Sequence, residues 1–299
     1  MKLIRSPFFY VGDKFKLLPQ LLDNFPKDIN IFIEPFCGGG SVFLNTNARE
    51  YLLNDIDYYM ISLHKYISSF CNNKEDFFRN LIGIINKYKL SASFIGQLTP
   101  CEYKERFKKT YYAEYNKNCY YRMRDDFNND KNNLILLYLL LIYGFNRMLR
   151  FNSKGEFNLP VGNVDFNYNV KNALDDYLNS LETKKVCFYN HDFETFICDI
   201  NYNEDDFIYL DPPYLISSCE YNKMWNINHE ERLLNLLDDL NNKNVRFAIS
   251  NVIYHRNNHN DIFEEWSKKY NVVNIKSNYI NYHDNTEKNS VEVLVKNYN

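Results

Sequence analysis

The chain has 299 residues, is 45% hydrophobic and 24% charged, and carries a formal net charge of −3, so it can bury one large core or a core with a smaller insert. Its longest apolar run, Leu134 to Tyr143, is too short to cross a bilayer, and Met1-Lys2-Leu3-Ile4-Arg5-Ser6 lacks a signal-peptide core, so neither a membrane span nor export is expected. Seven scattered cysteines without a Cys-x-x-Cys pair fit a reducing cytoplasm better than a disulfide framework or a zinc site.

Between Lys104 and Lys154 eleven Lys and Arg face five Asp and Glu, a local balance of +6 that leaves −9 for the remainder. Such a segment suits a surface that tracks phosphates, although a solvated helical face would have the same composition. The many Asn residues read as coding bias and receive little functional weight. His255 and His259 stand in an Asn-rich stretch that reads as a loop, not a metal site.

In chain order, Ser6-Pro7-Phe8-Phe9-Tyr10-Val11-Gly12-Asp13 reads as an aromatic extended piece that turns at Gly12. Leu17, Leu18, Leu21 and Leu22 then recur at helical spacing, which places Lys14 in that helix's first turn. A cation is disfavoured there, so Lys14 reads either as the partner of an anion or as a plain surface lysine. The run 29–34 predicts a strand, and Pro35-Phe36-Cys37-Gly38-Gly39-Gly40 a glycine-rich turn that opens a helix at Ser41. The spacing is not Gly-x-Gly-x-x-Gly. A second strand, Tyr51 to Asn54, ends in Asp55, an acid placed to accept hydrogen bonds from ribose hydroxyls.

The stretch from Tyr58 to about Leu181 reads as mainly helical, with helices at 57–70, 74–88, 100–127 and 134–143. A turn-rich loop follows, in which Asn146, Met148, Arg150 and Asn152 alternate with aromatics before Pro160. Arg can read guanine, Asn adenine, and Met can wedge into a base stack. Strand, helix and strand then alternate again: a strand at 186–190 with His191-Asp192-Phe193 at its tip, and a strand at 207–210. A helix at 228–241 precedes strands at 246–252, 272–275 and 291–295, with a helix at 262–270 between the first two. Tyr221 to Trp225 reads as a loop able to close over a site. This alternation predicts an α/β fold: a twisted, mainly parallel sheet with helices on both faces.

The residues that follow the 207–210 strand concentrate the chemistry. In Asp211-Pro212-Pro213-Tyr214 neither proline can donate to a ladder, so the strand stops and Asp211 stands at its carboxyl end, where open α/β sheets bind ligands. The carboxylate and the Pro212 carbonyl can accept hydrogens from an exocyclic amine while Tyr214 stacks on a flat ring. A plain proline-rich turn with a surface Asp is the alternative reading of the tetrapeptide alone.

Taken together and in order, these segments resemble the Dam-type DNA adenine N6-methyltransferases, from about Phe9 to Val295, with most likeness to the bacteriophage branch. The resemblance implies a Rossmann-like class I methyltransferase domain, 1–56 and 182–299, interrupted by a helical target-recognition insert, 57–181. It implies S-adenosylmethionine as methyl donor, held by Tyr10, Lys14, Phe36, Cys37, Gly38, Gly40, Asp55, Phe193 and Asp211. Asp211, Pro212 and Tyr214 would be catalytic, and Arg124, Asn146, Met148, Arg150, Asn152 and Pro160 would face DNA. No metal is needed, because the leaving group is a neutral thioether. The implied substrate is adenine in double-stranded DNA, at GATC or a related short site and reached by base flipping. The implied protein is monomeric in solution, binds DNA in one or more copies, works in the cytoplasm of a bacterium or phage-infected cell, and is of the kind found in restriction-modification. One departure is that Asn163 and Val164 follow Gly162 where the family commonly carries a basic residue. Methylation of RNA or of a protein amide, and catalytically silent DNA binding, are the rival readings; the Asp in place of Asn at 211 and the intact Tyr10, Lys14, Asp55 and Asp211 speak against them.

Overall fold

The computed structural model describes residues 2–216, 225–276 and 290–299. Tyr221 to Met224, most of the expected closing loop, lie outside them. The elements in order are α1 (Leu18–Asn24), β1 (Ile31–Glu34), α2 (Ser41–Asn45), β2 (Glu50–Asn54), α3 (Tyr58–Ser68), α4 (Lys74–Tyr88), α5 (Cys101–Phe107), α6 (Tyr111–Asn129), α7 (Leu134–Tyr143) and α8 (Tyr168–Thr183). They continue with β3 (Lys185–Tyr189), α9 (Phe193–Cys198), β4 (Phe207–Leu210), α10 (Ile227–Asn242), β5 (Arg246–His255), β6 (Asn258–His259), α11 (Asp261–Ser267), β7 (Asn271–Ile275) and β8 (Ser290–Lys296). The chain forms two compact units: a helical one, Met1–Asp13, Gly38–Leu44 and Asp57–Lys184, and a sheet one, Lys14–Cys37, Asn45–Ile56 and Lys185–Asn299.

In the sheet unit the strands run β3-β2-β1-β4-β5-β8-β7, with the short β6 against β5. β3 through β5 are parallel, whereas β8 lies antiparallel between β5 and β7. The sheet is therefore mainly parallel, as the alternation of elements predicts. Its order reverses between β1 and β4, which creates a crevice at their carboxyl ends. Alternation along the strands sorts side chains by face. Ile33, Ile208, Leu210, Phe247, Ile249 and Val293 pack with Leu233 and Leu237 of α10 and Phe263 of α11. On the other face Phe25, just past α1, meets Phe207 at 4.9 Å and Tyr209 at 5.1 Å between ring centroids.

The helical unit is built around α7, in which Ile135 through Tyr143 are all buried, the signature of a helix apolar on every side. Tyrosine hydroxyls in this apolar setting find carbonyls: Tyr120 donates to Leu159 O (3.2 Å), Tyr143 to Ser91 O (2.7 Å) and Tyr138 to Pro7 O (3.1 Å).

Four sequence expectations need correction. The single helix foreseen at 100–127 breaks at Lys108, whose φ is +45°, and a 3₁₀ turn joins α5 to α6. The break persists because the Asn163 side chain accepts from the N–H groups of Tyr112 (3.0 Å) and Ala113 (3.2 Å), capping α6 from a distant part of the sequence. Lys14 is not in the first turn of α1, which starts at Leu18; its carbonyl accepts from Leu17 and Leu18 in the preceding turn. The expected 262–270 helix ends at Ser267, and β5 runs on to His255 past a register shift between Val252 and Tyr254.

All four residues of β4 are fully buried, Ile208 among them on the face that packs against α10. Replacing Ile208 with Ala should lower unfolding free energy by about 2–5 kcal/mol, read from the urea midpoint, through lost burial and the cavity left behind.

Candidate active site

At the carboxyl end of β4 the ladder stops at Pro212 and Pro213, and Asp211 is met by Lys14 and Tyr214, side chains of the same unit that also meet Glu292. Lys14 Nζ lies 2.8 Å from Asp211 Oδ1 and 3.8 Å from Glu292 Oε1. The Tyr214 hydroxyl lies 3.1 Å from each of those two oxygens, so its single hydrogen is shared between the carboxylates. The ammonium also sits 5.0 Å from the Tyr214 ring centroid. Lys14 is only 5% exposed, which settles the choice the sequence left open: it is the partner of anions, not a surface lysine.

Glu292 was missed by sequence reasoning. It is 2% exposed, on β8 opposite Val252 and Ile275, and its Oε2 has no hydrogen-bond partner among the described residues. The signal was present: one acid inside the apolar strand Val291-Glu292-Val293-Leu294-Val295, on a sheet flanked by other strands.

Around the crevice, Asn54 ties strand ends together. Its Nδ2 donates to Pro35 O and His191 O, both at 3.0 Å, and its Oδ1 accepts from His191 N at 2.9 Å. Cys37 N–H donates to Asn54 O (2.8 Å), which fixes the exit from β1. Burial, with Asp55 and Glu34 adding to it, pushes the Cys37 thiol well above its ordinary pKa and keeps it an inert thiol. Asp55 stands just past β2, half-buried. Phe36 and Phe193 pack 5.5 Å apart, and Trp225 closes on both at 5.8 and 5.7 Å.

The glycine turn belongs to the helical unit from Gly38 onward. Gly38 and Gly40 have φ of +46° and +78°, and a Cβ on Gly40 would stand 2.3 Å from the Phe43 ring. Carbonyls in this turn are gripped from outside: His64 Nε2 lies 2.9 Å from Gly38 O, and the Ser6 hydroxyl donates to Gly39 O. A Cβ on Gly39 would touch Tyr10 at 3.0 Å, so Tyr10 lies directly on the turn. His64 Nδ1 pairs with the Tyr177 hydroxyl at 2.8 Å, and Phe8 packs edge-on at 4.5 Å. Sequence reasoning passed over His64, which is visible only as one polar residue on the apolar side of α3.

In the same unit, the loop 144–162 is closed by bridges between Gly144 and Val161 and between Phe151 and Phe157. Asn146 is exposed, and Met148 and Pro160 are half-buried. Arg150 is committed to Asn158, through Nε to Oδ1 (2.9 Å) and Nη2 to the carbonyl (2.8 Å). The Asn152 side chain closes its own turn, accepting from Lys154 and Glu156 N–H and donating to Glu156 Oε2. Arg124 lies over the Tyr121 ring at 4.6 Å and, with Asn128, Asn152 and Glu156, lines a polar pocket of about 390 Å³. Among the described residues no cluster of metal-ligating side chains occurs; His255 pairs with Ser290 (2.6 Å) and His259 with Asp261 (2.6 Å). No helix of those residues is long and apolar enough to cross a membrane.

Comparison with known proteins matches residues 10–280 to the family of D12 class N6 adenine-specific DNA methyltransferases. The modification methylase StsI of Streptococcus sanguinis is 33% identical over 308 residues, covering 99% of this chain and 43% of that protein. The type II methyltransferase M.FokI of Planomicrobium okeanokoites is 34% identical over 304 residues with the same coverage. A DNA adenine methylase of Haemophilus influenzae is 30% identical over 222 residues, 71% of this chain and 65% of its own length. The chain spans less than half the length of the first two relatives.

Complete burial lowers the His64 pKa to about 4, below the ordinary 6.5, so the folded protein holds it neutral. The unfolded chain takes up that proton first. The stability His64 confers is therefore complete above about pH 6.5 and is lost as pH falls toward 4, by about 3 kcal/mol in total. Urea unfolding at pH 7 and pH 4 should show this loss, and His64→Gln should reduce it.

Proposed function

The chain belongs to the D12 class of N6 adenine-specific DNA methyltransferases, and from that premise we propose that it transfers a methyl group from S-adenosylmethionine to the N6 amine of adenine in duplex DNA. The observation that carries the reading is the cluster of Asp211, Lys14, Tyr214 and Glu292 at the carboxyl end of β4, beside the point where the strand order reverses. The residues fit the donor. Within the sheet unit, Phe36 and Phe193 offer apolar rings to its purine and the Asp55 carboxylate accepts from ribose hydroxyls; the positive-φ glycines of the turn that follows Cys37 in the chain leave backbone open to a ligand's approach. Tyr10 and Lys14 lie just before these elements in the chain. When bound, S-adenosylmethionine supplies an electrophilic methyl on a sulfonium whose departing thioether is neutral.

The chain's own groups prepare the amine. An adenine inside a duplex must leave the stack before its amine can be reached. Lys14 and Tyr214 both engage Asp211 Oδ1, which orients the carboxylate so that Oδ2 can take an incoming N–H. The Pro212 carbonyl takes the second amine hydrogen. These two acceptors favour a pyramidal nitrogen with a localised lone pair, and their bonds strengthen as positive charge develops there, so they lower the barrier. Lys14 covers one side of Tyr214, and the extrahelical base takes the other.

The helical unit holds the basic segment 104–154, and target recognition is assigned to it. Arg124, Asn146, Met148, Arg150, Asn152 and Pro160 are the proposed DNA-facing residues, and GATC or a related short site is the proposed target. Asn146 and Met148 are the ones with side chains left for bases, whereas Arg150 and Asn152 shape the loop as well. Asn163, where a basic residue is common in the family, is spent on capping α6, so the target's outer bases are read by other groups.

Incubation with S-adenosylmethionine carrying a labelled methyl and with duplex DNA should yield N6-methyladenine in digested nucleosides. Asp211→Ala should reduce that yield by at least about 10³-fold while the far-ultraviolet circular dichroism is unchanged. A variant that methylates at a near-normal rate would refute the assignment.

A further inference from the structure

Beside the crevice, Glu230 is a carboxylate at 0% exposure that forms no salt bridge among the described residues. It accepts three hydrogen bonds from neutral donors: Trp225 Nε1–H at 2.6 Å, Asn251 Nδ2–H at 3.0 Å and Asn260 Nδ2–H at 3.0 Å. The two amides cannot flip away from it. Asn251 Oδ1 already accepts from Val252 N–H (2.8 Å), and Asn260 Oδ1 caps α11 by accepting from Phe263 N–H (3.1 Å). A buried acid so arranged is costly unless each bond is made, and an apolar side chain at 230 would simply extend the stripe Leu233, Leu234, Leu237 of α10. Core packing therefore does not explain the acid.

What the acid fixes is an indole. Trp225 is half-buried, its ring stacks on His229 at 5.4 Å and 27°, and it also meets Phe36 and Phe193. Phe193 is covered on another side by Arg232, 5.1 Å from its centroid and itself held by Asp192 and Glu194. Three rings thus meet just past β1, just past β3 and just before α10, two of them partly open to solvent. We infer that Trp225 is a cofactor-contacting residue, the third ring against the purine of the nucleoside methyl donor, and that Glu230 is the positioning residue that sets the plane of its indole. The inference rests on the proposed use of S-adenosylmethionine and adds two residues to the site. Stacking on a tryptophan held in one orientation strengthens binding without touching the methyl-transfer centre, since the indole need not be ordered again on each encounter.

The chain has two tryptophans, so Trp266→Phe leaves Trp225 as the sole indole emitter. Adding S-adenosylhomocysteine to that variant should change the emission saturably, with the same Kd that calorimetry gives for the unmodified protein. Trp225→Ala should weaken that Kd about tenfold or more, and Trp225→Phe, which keeps a ring, should recover most of the loss. Glu230→Gln can keep its carbonyl oxygen for the two Asn amides but then sets its own NH2 against the indole N–H; it should red-shift the Trp225 emission and weaken Kd, with KM for S-adenosylmethionine affected far more than kcat. If the unmodified protein binds S-adenosylhomocysteine while Trp225 emission stays constant and Trp225→Ala keeps normal affinity, the assignment of Trp225 and Glu230 is overturned and the wider reading stands. If calorimetry detects no binding to the unmodified protein, the cofactor reading itself fails, and this assignment falls with it.

Discussion

A lysine ammonium withdrawn from water beside two carboxylates is the constraint on which the site depends. Lys14 at 5% exposure requires an anion within contact distance, because an unpaired buried charge costs several kcal/mol. Asp211 meets it from the end of β4, and Glu292 from β8. These residues are almost 280 positions apart at the extremes, and only the sheet order brings them together. β8 enters antiparallel between β5 and β7, which sets residue 292 opposite Val252 on one side and Ile275 on the other. A one-residue slip in that register would turn Glu292 toward the apolar face of Val293 and Val295, leaving Lys14 with one acid.

The parts of this arrangement carried by local sequence were legible. The strand before Asp211 ends where two prolines end it, α7 covers the apolar block from Leu134 to Tyr143, and the alternation of strands and helices gave the mainly parallel sheet. What escaped was set by contacts distant in sequence. Asn163 caps α6 from some fifty residues away, so nothing near Lys108 announced that the long helix would break. Lys14 was placed one turn too far along because the leucine spacing marks α1 without marking where its first turn begins. Glu292 and Glu230 had a signal that went unread: each is an acid at a position where the pattern of its strand or helix calls for an apolar side chain. A charge that breaks a buried pattern needs partners, and partners at a strand end are where chemistry gathers.

The asparagines make the same argument from the other side. Their abundance reads as compositional bias, and for exposed ones that discount is sound. Four of them are at most 1% exposed: Asn54, Asn116, Asn251 and Asn260. Each uses both ends of its amide. Asn54 donates to Pro35 and His191 carbonyls and accepts from His191 N–H, joining the exits of β1, β2 and β3. Asn116 accepts from Ser91 N–H and donates to Ser91 Oγ, fixing the residue whose carbonyl also receives the Tyr143 hydroxyl. Asn251 and Asn260 accept from backbone while donating to Glu230. An amide can do this because it carries a donor and an acceptor about 2.3 Å apart on one rigid plane, so satisfying one end orients the other. A hydroxyl would rotate, and a carboxylate could only accept. Where a loop must be fixed to a strand end without adding charge to a crevice already rich in acids, asparagine is the side chain whose chemistry fits, and its local setting, not its frequency, carries the information.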